Sequence, residues 1–272
     1  MTRVHPSLRI LGLLGLLIAR IATAKDPAPR VLIAAHSHND YHQARPLVTA
    51  LENGFGSVEA DIHLVNGQLL VAHDRVATRP DRTLTSMYLE PLRVRCATNQ
   101  GRVYPEIVGF RLLIDIKADP EGTYAVLDPL LRNYRDVLTR FTPTNTTPGA
   151  ITVILSGARP TRTVAAQPER FCAIDGRPED LDTPTSVHLI PIVSESWPTL
   201  FGRVSGTSLS DTSREKLRAF VARAHGQGRQ VRFWGAPDMP WFWSELMRAD
   251  VDVVNTDRIP TLAAFMREAA GK

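Results

Sequence analysis

Six ionisable side chains of this sequence, Glu59, Asp61, Asp115, Lys117, His36 and His73, fall in a pattern suited to metal-assisted chemistry. Glu59 and Asp61 stand two apart inside the apolar, β-branched run SVEADIHL (57–64), and Asp115 and Lys117 repeat that spacing in RLLIDIK (111–117). His36 closes the apolar run VLIAAH (31–36), with His38 two residues on, and His73-Asp74 closes QLLVAHD (68–74). Alternate residues of a strand share one face, about 7 Å apart. Three carboxylates meeting without a cation repel one another. A bound divalent ion resolves that repulsion, and all-oxygen ligands favour Mg²⁺ or Ca²⁺ over zinc.

Each residue alone has an ordinary explanation. A histidine at a strand end packs or caps, an acid within a strand is often the solvent side of an alternating pattern, and IDIK suits an edge strand with a surface ion pair. Asn255 and Asp257, at the end of VDVVNTD (251–257), suit caps for a helix that begins near Pro260. The joint pattern is harder to explain this way, because the elements that carry these residues all end at them.

The elements alternate. Strands are expected over 31–36, 57–64, 68–74, 111–117, 151–157, 170–175, 189–196, 231–237 and 251–257. Helices are expected over 45–54, 122–140, 160–168, 212–227, 240–249 and 260–269. Pro46 and Gly54 bracket the first helix, and Asn66-Gly67 marks a hairpin turn. The polar stretch from Arg75 to Phe110 reads as a long excursion with a short helix near SMYLEPL, expected to overhang the site and select substrates. Apolar strands separated by helices imply a parallel sheet covered on its outside. At about 250 residues this predicts a single-domain α/β fold, a (β/α)8 TIM barrel. An open doubly wound sheet is the competitor, but no G-x-G-x-x-G or P-loop follows any strand. Barrel chemistry sits at the C-terminal strand ends, which is where the six side chains fall.

On these residues the chain resembles the glycerophosphodiester phosphodiesterases and the wider phosphatidylinositol-phospholipase-C-like superfamily. The shared pattern is a strand and His36, then ALENGFGSVEADIHL, NGQLLVAHD, LLIDIK, and a closing WGAPD…DVVNTD. Ser37-His38 replaces the Arg-Gly usual after the first histidine, and the third acid is Asp115 rather than Glu. The HSHNDY opening is most similar to a bacterial and fungal branch that includes altered-inheritance-of-mitochondria-like proteins. The resemblance implies phosphodiester cleavage with His36 and His73 as the acid/base pair. It implies one divalent cation on Glu59, Asp61 and Asp115, with Lys117 at the phosphate. Trp234 as a pocket wall and Asn255 as a hydrogen-bonding residue follow from the same comparison. His38 is an alternative to His36, and His63 stays open. The expected partner is a small-molecule or lipid phosphodiester, with possible contact at a membrane surface. A cyclising, phospholipase D-like lyase and a non-catalytic secreted binding protein are the alternatives.

The N-terminus reads as a secretory signal peptide over residues 1–24. It has a basic start, an apolar stretch from Ile10 to Ala22, and Ala22-Thr23-Ala24 before a cleavage point. An uncleaved anchor is the competing reading. The mature domain is then 25–272, and the protein is expected to be secreted or periplasmic. Losing Arg3, Arg9 and Arg20 with no acid takes the formal charge from +4 to +1, so no nucleic-acid partner is expected. Cys96 and Cys172 suit either a disulfide or two separate thiols.

Overall fold

The computed structural model describes Met1 and residues 30–106 and 109–271. The leader expected over residues 1–24 lies outside the described residues, Met1 excepted. The strands are β1 (Leu32–Ser37), β2 (Phe55–Val65), β3 (Gln68–Val71), β4 (Phe110–Ile116), β5 (Arg140–Phe141), β6 (Thr146–Thr147), β7 (Ile151–Gly157), β8 (Ala173–Gly176), β9 (Ile192–Ser196), β10 (Gln230–Trp234) and β11 (Val254–Thr256). The helices are α1 (Val48–Glu52), α2 (Glu90–Thr98), α3 (Pro120–Arg132), α4 (Thr161–Ala166), α5 (Trp197–Phe201), α6 (Asp211–His225), α7 (Pro240–Arg248) and α8 (Ile259–Ala270).

Eight parallel strands run in the order β10-β9-β8-β7-β4-β2-β1-β11. The ring nearly closes where Val253 donates its N–H to the Val231 carbonyl at 3.1 Å, just ahead of β11 and beside β10. The result is a (β/α)8 barrel. β3 hangs off β2 as an antiparallel hairpin. Its turn residues Asn66 and Gly67 both have positive φ, 50° and 78°, which a tight hairpin matched to strand twist requires.

Inside the barrel, Leu113, Ile154, Ala173, Ile192 and Val253 form a small apolar cluster with Phe141. Asp115, Ser156, Ser194 and Asn255 each follow one of those residues by two in the same strand or its immediate run. They therefore share its inward face, nearer the C-terminal mouth. A larger apolar layer lies between the strands and the outer helices. Fully burying a Leu- or Phe-sized side chain stabilises by about 1.5–3 kcal/mol, so that layer can carry a mouth lined with charges.

Several elements differ from expectation. The helix expected over 122–140 stops at Arg132, since Leu138 and Phe141 instead pair beside the barrel through bridges to Ile151 and Arg170. Helix α5 and the β5–β6 pair were not expected. Much of the stretch 75–106 packs onto the barrel, and Arg82 donates to the Tyr41 carbonyl at 2.6 Å. Leu84, Tyr88, Leu92 and Cys96, spaced four apart, are buried together with Leu89. They make α2 and the one-turn π segment before it (Thr85–Leu89) an outer helix of the barrel. Tyr104 anchors the stretch by donating to the carbonyls of Leu51 and Phe55. Cys96 and Cys172 are both buried and free. Burial pushes their thiols up, to about 11 and about 12, so neither is poised as a nucleophile. No described helix is long and apolar enough to cross a membrane.

Candidate active site

Register brings the acids together. Asp61 of β2 pairs with Asp115 of β4, and Asp115 pairs with Ser156 of β7. Glu59, two residues before Asp61, shares its face. One oxygen from each of Glu59, Asp61 and Asp115 can be chosen so that all lie within 4.8 Å of one another. Gly157 makes room for this: a Cβ there, at φ 67°, would collide with the Asp115 carboxylate.

The charges around the acids are ordered. Asp61 is wholly buried and its Oδ2 takes Lys117 Nζ at 2.6 Å, the Tyr41 hydroxyl at 2.6 Å and His73 Nδ1 at 3.1 Å. Its Oδ1 is buried with no partner. An orphaned carboxylate oxygen is costly in a protein interior, and this one belongs to the three-acid cluster. The cluster, all hard oxygen donors, fits a divalent cation such as Mg²⁺ or Ca²⁺.

Glu59 receives the Arg232 guanidinium at 2.8 Å and His36 Nε2 at 3.4 Å. Burial pushes Glu59 up, but the Arg232 charge and the His36 hydrogen bond outweigh it and hold the carboxyl below its usual range. Asp115 is raised, first by burial; Lys117 opposes this while Asp61 and Glu59 add to it. Lys117 ends above its usual range, since the two aspartates outweigh the burial that lowers it. The ammonium therefore stays charged beside the acids.

The histidines separate by access. His36 is completely buried, with Nδ1 2.7 Å from Ser57 Oγ and Nε2 on Glu59. Burial first, then the Arg232 charge, pull it down to about 3. His36, expected as one of the acid/base pair, is not among the residues lining the cavity, whereas His38, two residues on, is. His38 lines the cavity and binds Asp257 through Nδ1 at 2.9 Å. Its Nε2 lies 3.9 Å from Glu59. Burial lowers its pKa, but Asp257 and Glu59 together leave it raised. His73 also lines the cavity; its side chain is 53% exposed and its Nδ1 faces Asp61. His63 lies outside the cavity, bonded through Nε2 to the His73 carbonyl at 3.2 Å.

The cavity holds about 350 Å³ and is lined by His38, Glu59, His73, Asp115 and Lys117 together with Arg177, Arg232 and Trp234. Trp234 is among the lining residues. Asn255 is one layer beneath, its Oδ1 accepting from Arg232 Nε at 3.0 Å; it orients an arginine rather than lining the cavity. Arg232, Tyr41 and Arg177 were not anticipated, and Asp257 was read only as a helix cap. Arg232 sits mid-strand in an apolar run, a signal of an inward charge that is visible only in hindsight.

The loop between β1 and α1 carries His38 and Tyr41 and has positive φ at Asn39 (46°) and Leu47 (61°). Asp40 pins it. Fully buried, its carboxylate accepts from Ser37 Oγ at 2.7 Å, Tyr88 at 3.0 Å and the Leu47 N–H. Asp40→Ala strands these donors, which costs about 2–4 kcal/mol. The melting temperature is expected to fall by about 5–12 °C in a chain of this size. A thermal melt within 2 °C of wild type would show the loop is held otherwise.

The profile of the AIM6-like phosphodiesterase domain matches residues 28–174, and that of the glycerophosphoryl diester phosphodiesterase family matches residues 230–259. An altered inheritance of mitochondria protein 6 homolog from Arthroderma benhamiae is 32% identical over 260 residues, covering 84% of this chain and 82% of that protein. Altered inheritance of mitochondria protein 6 from Eremothecium gossypii is 33% identical over 277 residues, covering 86% and 70%. In fold, the chain is similar to a glycerophosphodiester phosphodiesterase from Parabacteroides distasonis. The TM-score is 0.57 at 14% identity, over 88% of this chain and 98% of that one. It is similar also to a calcium-dependent phosphoinositol-specific phospholipase C from a Pseudomonas species. There the TM-score is 0.55 at 12% identity, over 86% and 93%. The chain belongs to the family of AIM6-like phosphodiesterase domains.

Proposed function

We propose that this protein cleaves phosphodiesters of the glycerophosphodiester or phospholipid type by metal-assisted, two-histidine acid/base catalysis. One observation carries the proposal. His38 and His73 each tie Nδ1 to an aspartate, Asp257 and Asp61, at 2.9 and 3.1 Å, beside a three-acid cluster in which Asp61 Oδ1 has no partner. With Nδ1 held, each Nε2 is the atom left to exchange protons with a ligand. One imidazole takes the proton of the attacking hydroxyl and the other delivers one to the leaving oxygen. Histidine suits both steps because it titrates near neutral pH.

Glu59, Asp61 and Asp115 would hold the cation, which when bound neutralises charge on the phosphoryl oxygens. Lys117 and Arg232, both lining the cavity, bind those oxygens and need no reorganisation as charge develops. Tyr41 donates to Asp61 and fixes its orientation. The related phospholipase C is calcium-dependent, and the donor set here accepts Mg²⁺ as well. Water as the attacking group gives hydrolysis; a hydroxyl of the substrate itself gives a cyclic phosphate. The N-terminal segment 1–24 is proposed as a secretion signal, which would put the reaction outside the cytoplasm.

Chelation tests the proposal. Turnover of glycerophosphodiesters and lysophospholipids is expected to vanish in excess EDTA and to return with Mg²⁺ or Ca²⁺. Phosphorus NMR of the products separates hydrolysis from cyclisation. Full turnover in chelator would remove the cation from the mechanism. No turnover of any diester with either ion, and no difference between wild type and His73→Ala, would favour a binding protein on this scaffold.

A further inference from the structure

The cavity has two unlike walls. Acids and histidines occupy the side built by β1, β2 and β4, where the scissile phosphate belongs. The side built by β7, β8 and β10 carries Arg177 and Trp234, which that chemistry does not use. Arg177 leaves the end of β8 with its guanidinium 4.8 Å from the centre of the Trp234 ring. Its NH1 is spent on the Asp175 carboxylate at 3.2 Å and the Gly176 carbonyl at 2.9 Å. Its Nε and NH2 have no hydrogen-bond partner among the described residues, and the side chain, 17% exposed, lines the cavity.

The nearby acids do not complete the pairing. Asp175 is fully buried; its Oδ2 also accepts from Ser156 Oγ at 2.8 Å and lies 4.0 Å from Arg232. The Asp180 carboxylate accepts from the backbone N–H of Arg177 at 2.7 Å, not from its guanidinium. A second arginine, Arg159, leaves the neighbouring strand β7. Its Nε is buried and without a partner. Burial first, and the Arg177 charge second, hold Arg159 below its usual range, with Asp175, Asp180 and Glu179 opposing. A guanidinium that keeps unspent donors costs stability in the free protein. An oxyanion in the cavity at Arg177 relieves the cost, and a planar fork stacked on an indole is well placed to take a phosphate or carboxylate in two hydrogen bonds.

We propose that Arg177, stacked on Trp234 and supported by Arg159, forms a subsite for a second anionic group on one arm of the diester. The substrate class is then a phosphodiester that bears a further phosphomonoester or carboxylate. This rests on the phosphodiesterase reading above. The link between the sites is direct: Arg232 touches Glu59 at 2.8 Å and approaches Asp175, which Arg177 also binds. The second anion therefore sits across one carboxylate from the catalytic cluster.

Two matched substrate pairs test the proposal on the full chain loaded with its activating cation. Glycerophosphoinositol 4-phosphate against glycerophosphoinositol isolates a phosphomonoester. Glycerophosphoserine against glycerophosphoethanolamine isolates a carboxylate. In at least one pair kcat/KM is expected to favour the more anionic member by about tenfold or more, as a charge-assisted contact supplies; the pair that responds identifies the anion. In Arg177→Met that ratio should drop to near one, and Arg177→Lys should keep part of it. Equal rates in both pairs, or a ratio unchanged in Arg177→Met, overturn the subsite. If Arg177→Met does not fold, a ratio undiminished in both Arg177→Lys and Arg159→Met overturns it, and a reduced ratio supports it. Bis(4-nitrophenyl) phosphate has no second anion, so its turnover reports on the phosphodiesterase reading alone. If nothing is cleaved, calorimetric titration with the same pairs still reads the subsite. Tighter binding of the anionic member that is lost in Arg177→Met upholds it; equal binding ends it.

Discussion

Asp61→Asn is expected to lower kcat/KM by about 10³-fold or more while leaving the barrel folded. The magnitude follows from what one atom change removes. Asp61 is the common partner of Lys117, Tyr41 and His73 and the owner of the cluster's orphaned oxygen. Losing its charge weakens the cation site, frees the lysine and loosens the histidine together. Electrostatic assistance from a bound ion is worth several kcal/mol, and each 1.36 kcal/mol is tenfold in rate. Stability should move little. The lost Lys117 pair is offset by relief of repulsion among three buried or half-buried carboxylates, and asparagine fills the same volume. Two measurements check this: steady-state kinetics, and the rise in melting temperature that Mg²⁺ or Ca²⁺ gives the wild type. That rise should shrink in Asp61→Asn. A variant with wild-type kinetics and an intact metal-induced rise would show that the acids hold no ion.

His38→Ala and His36→Asn are expected to part company. The first removes an imidazole that reaches the cavity, and a lost general acid or base costs about 10²–10⁴ in rate. Its fold should survive, since the side chain is about one-third exposed and pairs with the exposed Asp257. The second removes a ring that is fully buried against Ser57 and Glu59. Its main effect should be thermal, with a lower melting temperature and a much smaller loss of kcat in the folded fraction. Parallel thermal melts and kinetics on the two variants decide the matter. If His36→Asn loses as much kcat as His38→Ala at an unchanged melting temperature, the assignment of roles reverses.

That pair also marks how far the sequence could be read. His36 and His38 share a strand parity, so spacing alone gave both the same inward direction. What separates them is depth: β1 pairs with β11 through Ser37, so His36 lies within the barrel wall and His38 just above it. The acids were legible for the opposite reason. Glu59 and Asp61 share a face by alternation within one strand, and Asp115 stands near the C-terminal end of its own strand, β4.

Local covalent geometry therefore determined the strand and helix alternation, the Asn66-Gly67 turn, the barrel architecture and the shared face of Glu59 and Asp61. Each depends on residues a few positions apart or on a repeating rule that acts along the chain. Closure of the barrel decided the rest. Arg232 reaches Glu59 across 173 residues and Asp257 reaches His38 across 219. Those contacts exist because a ring brings first and last strands together. The arginine that meets an acid is set by the register between distant strands, and register comes from packing the whole core rather than from the spacing within any one segment.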